Sequence, residues 1–238
     1  MKNIARRNFL KYTAASIGTA SLITATHNIN SASAREKNLT ARVNNYADMS
    51  PDEAISELMN GNKRFVEQKS INPNQSRLRL AEVAEGQAPF ACILTCSDSR
   101  VAPEIVFDRG LGDLFVVRDA GNIATSGEIG SLEYGVSVLG AKAIVVMGHK
   151  NCGAVQAAIK LGSTSGFIAS IVNEILPAVE MAKEKDGELI QNTITANILL
   201  QKSKVQTSPI ISQLVKENKV KIIGAYYDLE TGKVDLVS

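Results

Sequence analysis

The chain has no tryptophan, two histidines (His27 and His149) and three cysteines in 238 residues. Three cysteines cannot staple a small disulfide scaffold of the secreted kind. Two histidines leave histidine chemistry few places to sit. An excess of one charge is also missing: 26 Lys+Arg against 24 Asp+Glu give a net charge of +2. That balance argues against a nucleic-acid partner or a charge-driven membrane surface. The weakly apolar stretch 12–26 is too short, and too rich in Ala, Thr, Ser and Gly, to span a bilayer, so stable membrane insertion is not expected. What is present is ordinary for a globular protein, 45% hydrophobic and 21% charged, which excludes disorder of the whole chain.

The first 34 residues read as an address. Arg6 and Arg7, followed by Phe9 and Leu10, open a segment with an apolar middle and an Ala32-Ser33-Ala34 end. A basic start, an apolar middle and a small-x-small end describe a secretory signal, here of the twin-arginine type. The expected location is therefore periplasmic or otherwise exported. The alternative is a basic tail or an amphipathic surface helix. Residues 1–34 hold Lys2, Arg6, Arg7 and Lys11 and no acid, so their removal leaves 22 basic against 24 acidic groups and turns the net charge to −2. It also removes His27 and leaves His149 alone.

Residues 35–238 read as one α/β domain. Ser50-Pro51-Asp52-Glu53 is a helix start, and an apolar stripe follows to about Glu67, weakened at Gly61. Residues 71–76 read as a loop and 78–85 as a short helix. Short apolar runs at 90–95, 114–117, 143–147 and 220–226 read as buried strands. Helical patterns fall at 128–139, 153–161, 168–185, 188–203 and 209–218. All-apolar strands alternating with helices predict a central, mostly parallel sheet covered on both faces. Residues 233–237 read as a last edge strand after a turn.

In such a sheet, chemistry gathers at the carboxyl ends of strands. The first strand ends in Thr95-Cys96-Ser97-Asp98-Ser99-Arg100, and the third in Gly148-His149-Lys150-Asn151-Cys152-Gly153. Cysteine and histidine are preferred zinc ligands, and a Cys₂His set leaves a fourth position open for a catalytic water. Gly148 and Gly153 are expected to provide the turn that aims His149 and Cys152 at one point. Cys92, inside its strand, reads as a small buried hydrophobe. A second reading makes Cys96 a nucleophile with His149 as its base, and a third makes the thiols a non-catalytic zinc or redox sensor.

The two motifs together, with Val101-Ala-Pro-Glu104, the run 112–118, Ala120-Gly-Asn122 and Ser131-Leu-Glu-Tyr134, resemble the β-class carbonic anhydrases over most of residues 50–230. The resemblance implies one Zn²⁺ per subunit on Cys96, His149 and Cys152, and reversible hydration of CO₂ to bicarbonate. A zinc-bound hydroxide would attack CO₂, oriented by an Asp98–Arg100 dyad. The resemblance also implies a substrate pocket from Gln87, Phe115, Ala120, Tyr134 and the Gly153 N–H, with Phe115 and Tyr134 coming from a neighbouring subunit. It further implies a homodimer, in some members assembled into tetramers or octamers. An enzyme of the same fold that hydrolyses CS₂ or COS is the nearest alternative. Family members regulated by bicarbonate carry a tryptophan three residues before the first zinc cysteine; here Ile93 stands there, so no such regulation is expected.

Overall fold

The computed structural model describes residues 46–160 and 165–238. The signal-type segment lies outside the described residues. Helix α1 (Pro51–Val66) starts where the sequence predicts: the Glu53 N–H donates to Ser50 Oγ at 3.2 Å, and the Ser50 N–H donates to Glu53 Oε2 at 2.7 Å. Two orphan donors of the first turn are thereby satisfied. Gly61 is a contact rather than a weakness. A Cβ there would stand 1.8 Å from the Phe107 carbonyl oxygen, so only glycine lets α1 lie this close to the chain beneath it.

After α2 (Arg77–Val83) come β1 (Ala91–Cys96), the short α3 (Pro103–Val106), β2 (Leu114–Asp119), α4 (Ser126–Ser137), β3 (Ala143–His149) and α5 (Gly153–Lys160). Helices α6 (Ile168–Lys183), α7 (Leu189–Gln206) and α8 (Pro209–Lys216) precede β4 (Lys221–Tyr227) and β5 (Val234–Val237). The expected elements are all present, with ends shifted by a few residues. Only the four-residue α3 was not expected, being too short to show a helical period.

The sheet order is β2-β1-β3-β4-β5, parallel except for the antiparallel edge strand β5. Alternation along β1 sends Ala91 and Ile93 to a core with Ala54 and Leu58 of α1, and Cys92 and Leu94 to one with Leu132 and Val136 of α4. Both faces are covered, which is why β1 and β3 are buried throughout and mostly apolar. The chain leaves β1 toward β2 and β3 toward β4, on opposite sides. A crevice therefore opens at the carboxyl ends of β1 and β3, where ligands bind in open α/β sheets.

Candidate metal centre

Cys96 is the last residue of β1 and His149 the last of β3, and the two strands are neighbours. Cys152 follows one turn later, just ahead of α5. Asn151, at φ 55°, makes the turn that brings it back, because asparagine tolerates the left-handed region. The glycines expected to turn here do otherwise. Gly148 leaves room for Ile198, whose Cγ1 would stand 2.8 Å from an added Cβ, and Gly153 begins α5 with open space around it.

The ligand atoms of Cys96, His149 and Cys152 lie within 4.8 Å of one another, and all three residues are buried. A tetrahedral zinc with Zn–S near about 2.3 Å and Zn–N near about 2.0 Å draws its ligands slightly closer than that. The histidine is set for a metal. Its Nδ1 lies 2.9 Å from the Lys150 carbonyl oxygen, the place for an Nδ1–H donor, and so directs the Nε2 lone pair toward the sulfurs. Nε2 is buried with no hydrogen-bond partner, which is costly for a polar atom unless something binds it. The sulfurs are met by backbone N–H groups: Gly121 (3.3 Å) and Asp98 at Cys96, Val155 and Ala154 at Cys152. The hydrogen bond from the Cys152 thiol pulls the Cys96 thiol down to about 4, against burial and with help from His149 and the N–H groups. The same contact, with burial, drives Cys152 upward. A dication held between the two sulfurs would favour the thiolate form of both. Orphaned Nε2 and paired, N–H-solvated sulfurs fit a zinc ion.

Asp98 stands beside this cluster. Arg100 donates from Nε to Oδ1 at 2.9 Å and from Nη2 to Oδ2 at 2.8 Å, and its N–H donates to Oδ1 at 2.9 Å. These hydrogen bonds, that of the guanidinium first, hold the carboxyl far below the usual carboxylate range. Oδ2 is 3.8 Å from His149 Nε2, too far for a hydrogen bond. Arg118 fixes the loop from behind, donating to the Cys96 carbonyl at 3.1 Å and the Asp98 carbonyl at 2.7 Å. Neither this role nor the Gly121 donor was legible in the sequence, since both run through backbone atoms.

The pocket residues divide. Gly153 and Ala120 adjoin the centre along the chain, next to Cys152 and Gly121 respectively. Phe115 pairs in register with Cys92, four residues before Cys96, and packs against Tyr134 with ring centroids 6.2 Å apart. Gln87 is exposed near the amino end of β1, beside Ala88 and Pro89, which border the start of β3 at Lys142. Phe115 and Gln87 thus lie away from the carboxyl end of β1, where Cys96 sits.

A mostly parallel sheet with a Cys₂His cluster at its switch point marks an α/β protein with a candidate metal site. A carbonic anhydrase family model matches residues 91–234. Carbonic anhydrase 2 of Mycobacterium tuberculosis is 39% identical over 197 residues, covering 78% of this chain and 92% of that protein. The Coccomyxa β-carbonic anhydrase, solved with acetazolamide, superposes with a TM-score of 0.62 at 26% identity, covering 76% of this chain and 85% of that one. A tetrameric β-carbonic anhydrase of Sordaria macrospora gives a TM-score of 0.62 at 24% identity, covering 67% and 85%, a likeness of fold. The chain belongs to the carbonic anhydrase family, in its β class. Among the described residues no helix is long and apolar enough to cross a membrane.

Proposed function

We propose that this chain hydrates CO₂ reversibly to bicarbonate with one zinc ion held by Cys96, His149 and Cys152, and with Asp98 and Arg100 orienting the reaction. The observation that carries this reading is the unpartnered, buried Nε2 of His149 facing two thiols, with an ionised carboxylate 3.8 Å away. Zinc, when bound, would supply a water acidified to a pKa of about 7. The chain's own residues do the rest. Asp98 Oδ2 offers an acceptor for a proton beside the metal position and so aims an oxygen lone pair at the substrate carbon. Arg100 keeps that carboxylate ionised and in one orientation through its two-point grip. Backbone N–H groups at both sulfurs would stabilise the thiolates that hold the ion.

The same reading extends to a homodimer in which Phe115, Tyr134 and Gln87 line the partner's pocket, and to export of folded, metal-loaded enzyme by the segment with Arg6 and Arg7. Zinc content near one per chain, with CO₂ hydration in stopped flow and its loss in Asp98→Ala, would support the function. A zinc-loaded protein that turns over COS and not CO₂ would replace it, and a chain without zinc would overturn it.

A further inference from the structure

Helix α7 carries two amides, Asn197 and Gln201, one turn apart and both buried, at 1% and 0% exposure. The same helix sends Ile194 and Ile198 into an apolar cluster with Ile123 and Ile175. Burying two amides is unfavourable unless each polar group is paired, and leucines would fill such a core without that demand. Here the pairing forms a chain. Gln201 Nε2 donates to Asn197 Oδ1 at 2.9 Å and to the Glu174 carbonyl at 3.2 Å, and Gln201 Oε1 accepts from the Ala124 N–H at 3.0 Å. Asn197 Nδ2 donates to the Gly121 carbonyl at 2.9 Å. Gly121 is the residue whose N–H donates to Cys96 Sγ.

Gly121 sits at φ 81°, and an added Cβ would stand 2.7 Å from Ile175 Cδ1, so the position must be glycine. Glycine is also the residue least able to hold its own conformation, so its N–H needs an outside anchor to stay aimed at sulfur. The seating of α7 is fixed independently. Ile198 fills the slots over Gly148 and Gly224, where an added Cβ would meet it at 2.8 Å in each case. Gly148 precedes His149. One helix thus presses on the strand that carries the histidine and tethers the loop that solvates the Cys96 thiolate.

We infer that Asn197, held by Gln201, is a positioning residue of the metal centre: it fixes Gly121 so that its N–H draws charge from Cys96, and it thereby sets how firmly that sulfur holds the ion. This rests on the zinc reading above. Groups that orient metal ligands from behind change metal affinity about 10–100-fold when replaced.

The test uses the full chain loaded with zinc and, separately, with cobalt(II). Asn197→Asp turns an acceptor oxygen on the Gly121 carbonyl at nearly constant volume. It should speed zinc transfer to a chelator about tenfold or more and shift the thiolate-to-cobalt charge-transfer band. Val179→Ala, buried in the same apolar cluster but outside the amide chain, should lower the thermal midpoint while leaving release rate and band unchanged. Wild-type release and spectrum in Asn197→Asp would overturn the inference. If that variant does not fold, Gln201→Glu replaces it: this variant keeps an acceptor for Ala124 and loses the donor to Asn197. The same shifts support the inference and their absence overturns it. A wild-type protein that shows no thiolate-to-cobalt band overturns the zinc reading itself, an outcome visible before any variant is made.

Discussion

Arg100 grips both oxygens of Asp98, at 2.9 and 2.8 Å, and turns the gripped Oδ2 toward His149 Nε2, 3.8 Å away. The carboxylate is therefore engaged by the guanidinium and stands beside the ligand cluster, which comprises Cys96, His149 and Cys152. Asp98→Asn should lower kcat/KM for CO₂ hydration about 100-fold with zinc content unchanged, because the amide keeps the shape and loses the ionised acceptor. Arg100→Lys should restore little of the loss seen in Arg100→Ala, since an ammonium cannot make the two-point contact. Stopped-flow rates with zinc analysis on the same samples check both.

The three cysteines should separate cleanly. Cys92 is fully buried, and burial pushes its thiol up to about 12, so it neither ionises nor reacts near neutral pH. Cys92→Ala should keep one zinc per chain at a stability cost of about 1 kcal/mol. Cys96→Ser or Cys152→Ser should lose the metal. Thiol titration of native protein should find almost no reactive thiol, and two after chelation.

Much of this was legible in the sequence because strand ends and ligand chemistry coincide. Cys96 and His149 terminate apolar runs that only a covered parallel sheet can bury, and the switch point between β1 and β3 follows from such a sheet. The supporting contacts were hidden for physical reasons. Asn197 and Gln201 have the i, i+4 spacing of a solvated helix face, and only packing reveals that this face is inside. Gly61 reads as a weak point of a helix and Gly148 as part of a turn, whereas they are clearances for the Phe107 carbonyl and Ile198. Phe115, Tyr134 and Gln87 carry no local sign of whose site they serve.

Bicarbonate should not act cooperatively. The position that carries tryptophan in bicarbonate-regulated members is Ile93, fully buried in the core beside α1. Arg118 is already spent on the carbonyls of Cys96 and Asp98. Inhibition by bicarbonate is expected to be hyperbolic, and a sigmoidal curve would contradict this. Arg118→Ala should lower kcat/KM about tenfold by releasing the loop that carries Asp98.

Turnover should depend on external buffer. Among the described residues His149 is the only histidine, and as a ligand it cannot also carry protons to bulk water. The hydration rate should rise with the concentration of an imidazole-type buffer at constant pH and ionic strength, then saturate. A flat series would show that Tyr134 or another group relays protons unaided.

Acid should loosen the molecule where Asp108 holds it. Its carboxylate is fully buried, accepting from Arg64 Nε at 2.6 Å, the Ile71 N–H at 3.1 Å and the Asn72 N–H at 2.9 Å. Burial alone would raise its pKa, but the Arg64 hydrogen bond and the two backbone donors outweigh burial, and the net shift is downward. A depressed folded-state value means that its stabilisation is complete above the unfolded carboxyl value of about 3.9 and is lost as pH falls through the folded value. Asp108→Asn breaks a part-buried ion pair and should destabilise by about 2 kcal/mol at neutral pH. Denaturant unfolding at a series of pH values should show this difference constant from pH 5 to 8 and shrinking below about pH 4, as the wild type loses what the variant never had. A difference that persists unchanged into strong acid would mean that shape at this position, and not charge, anchors the loop between α1 and α2.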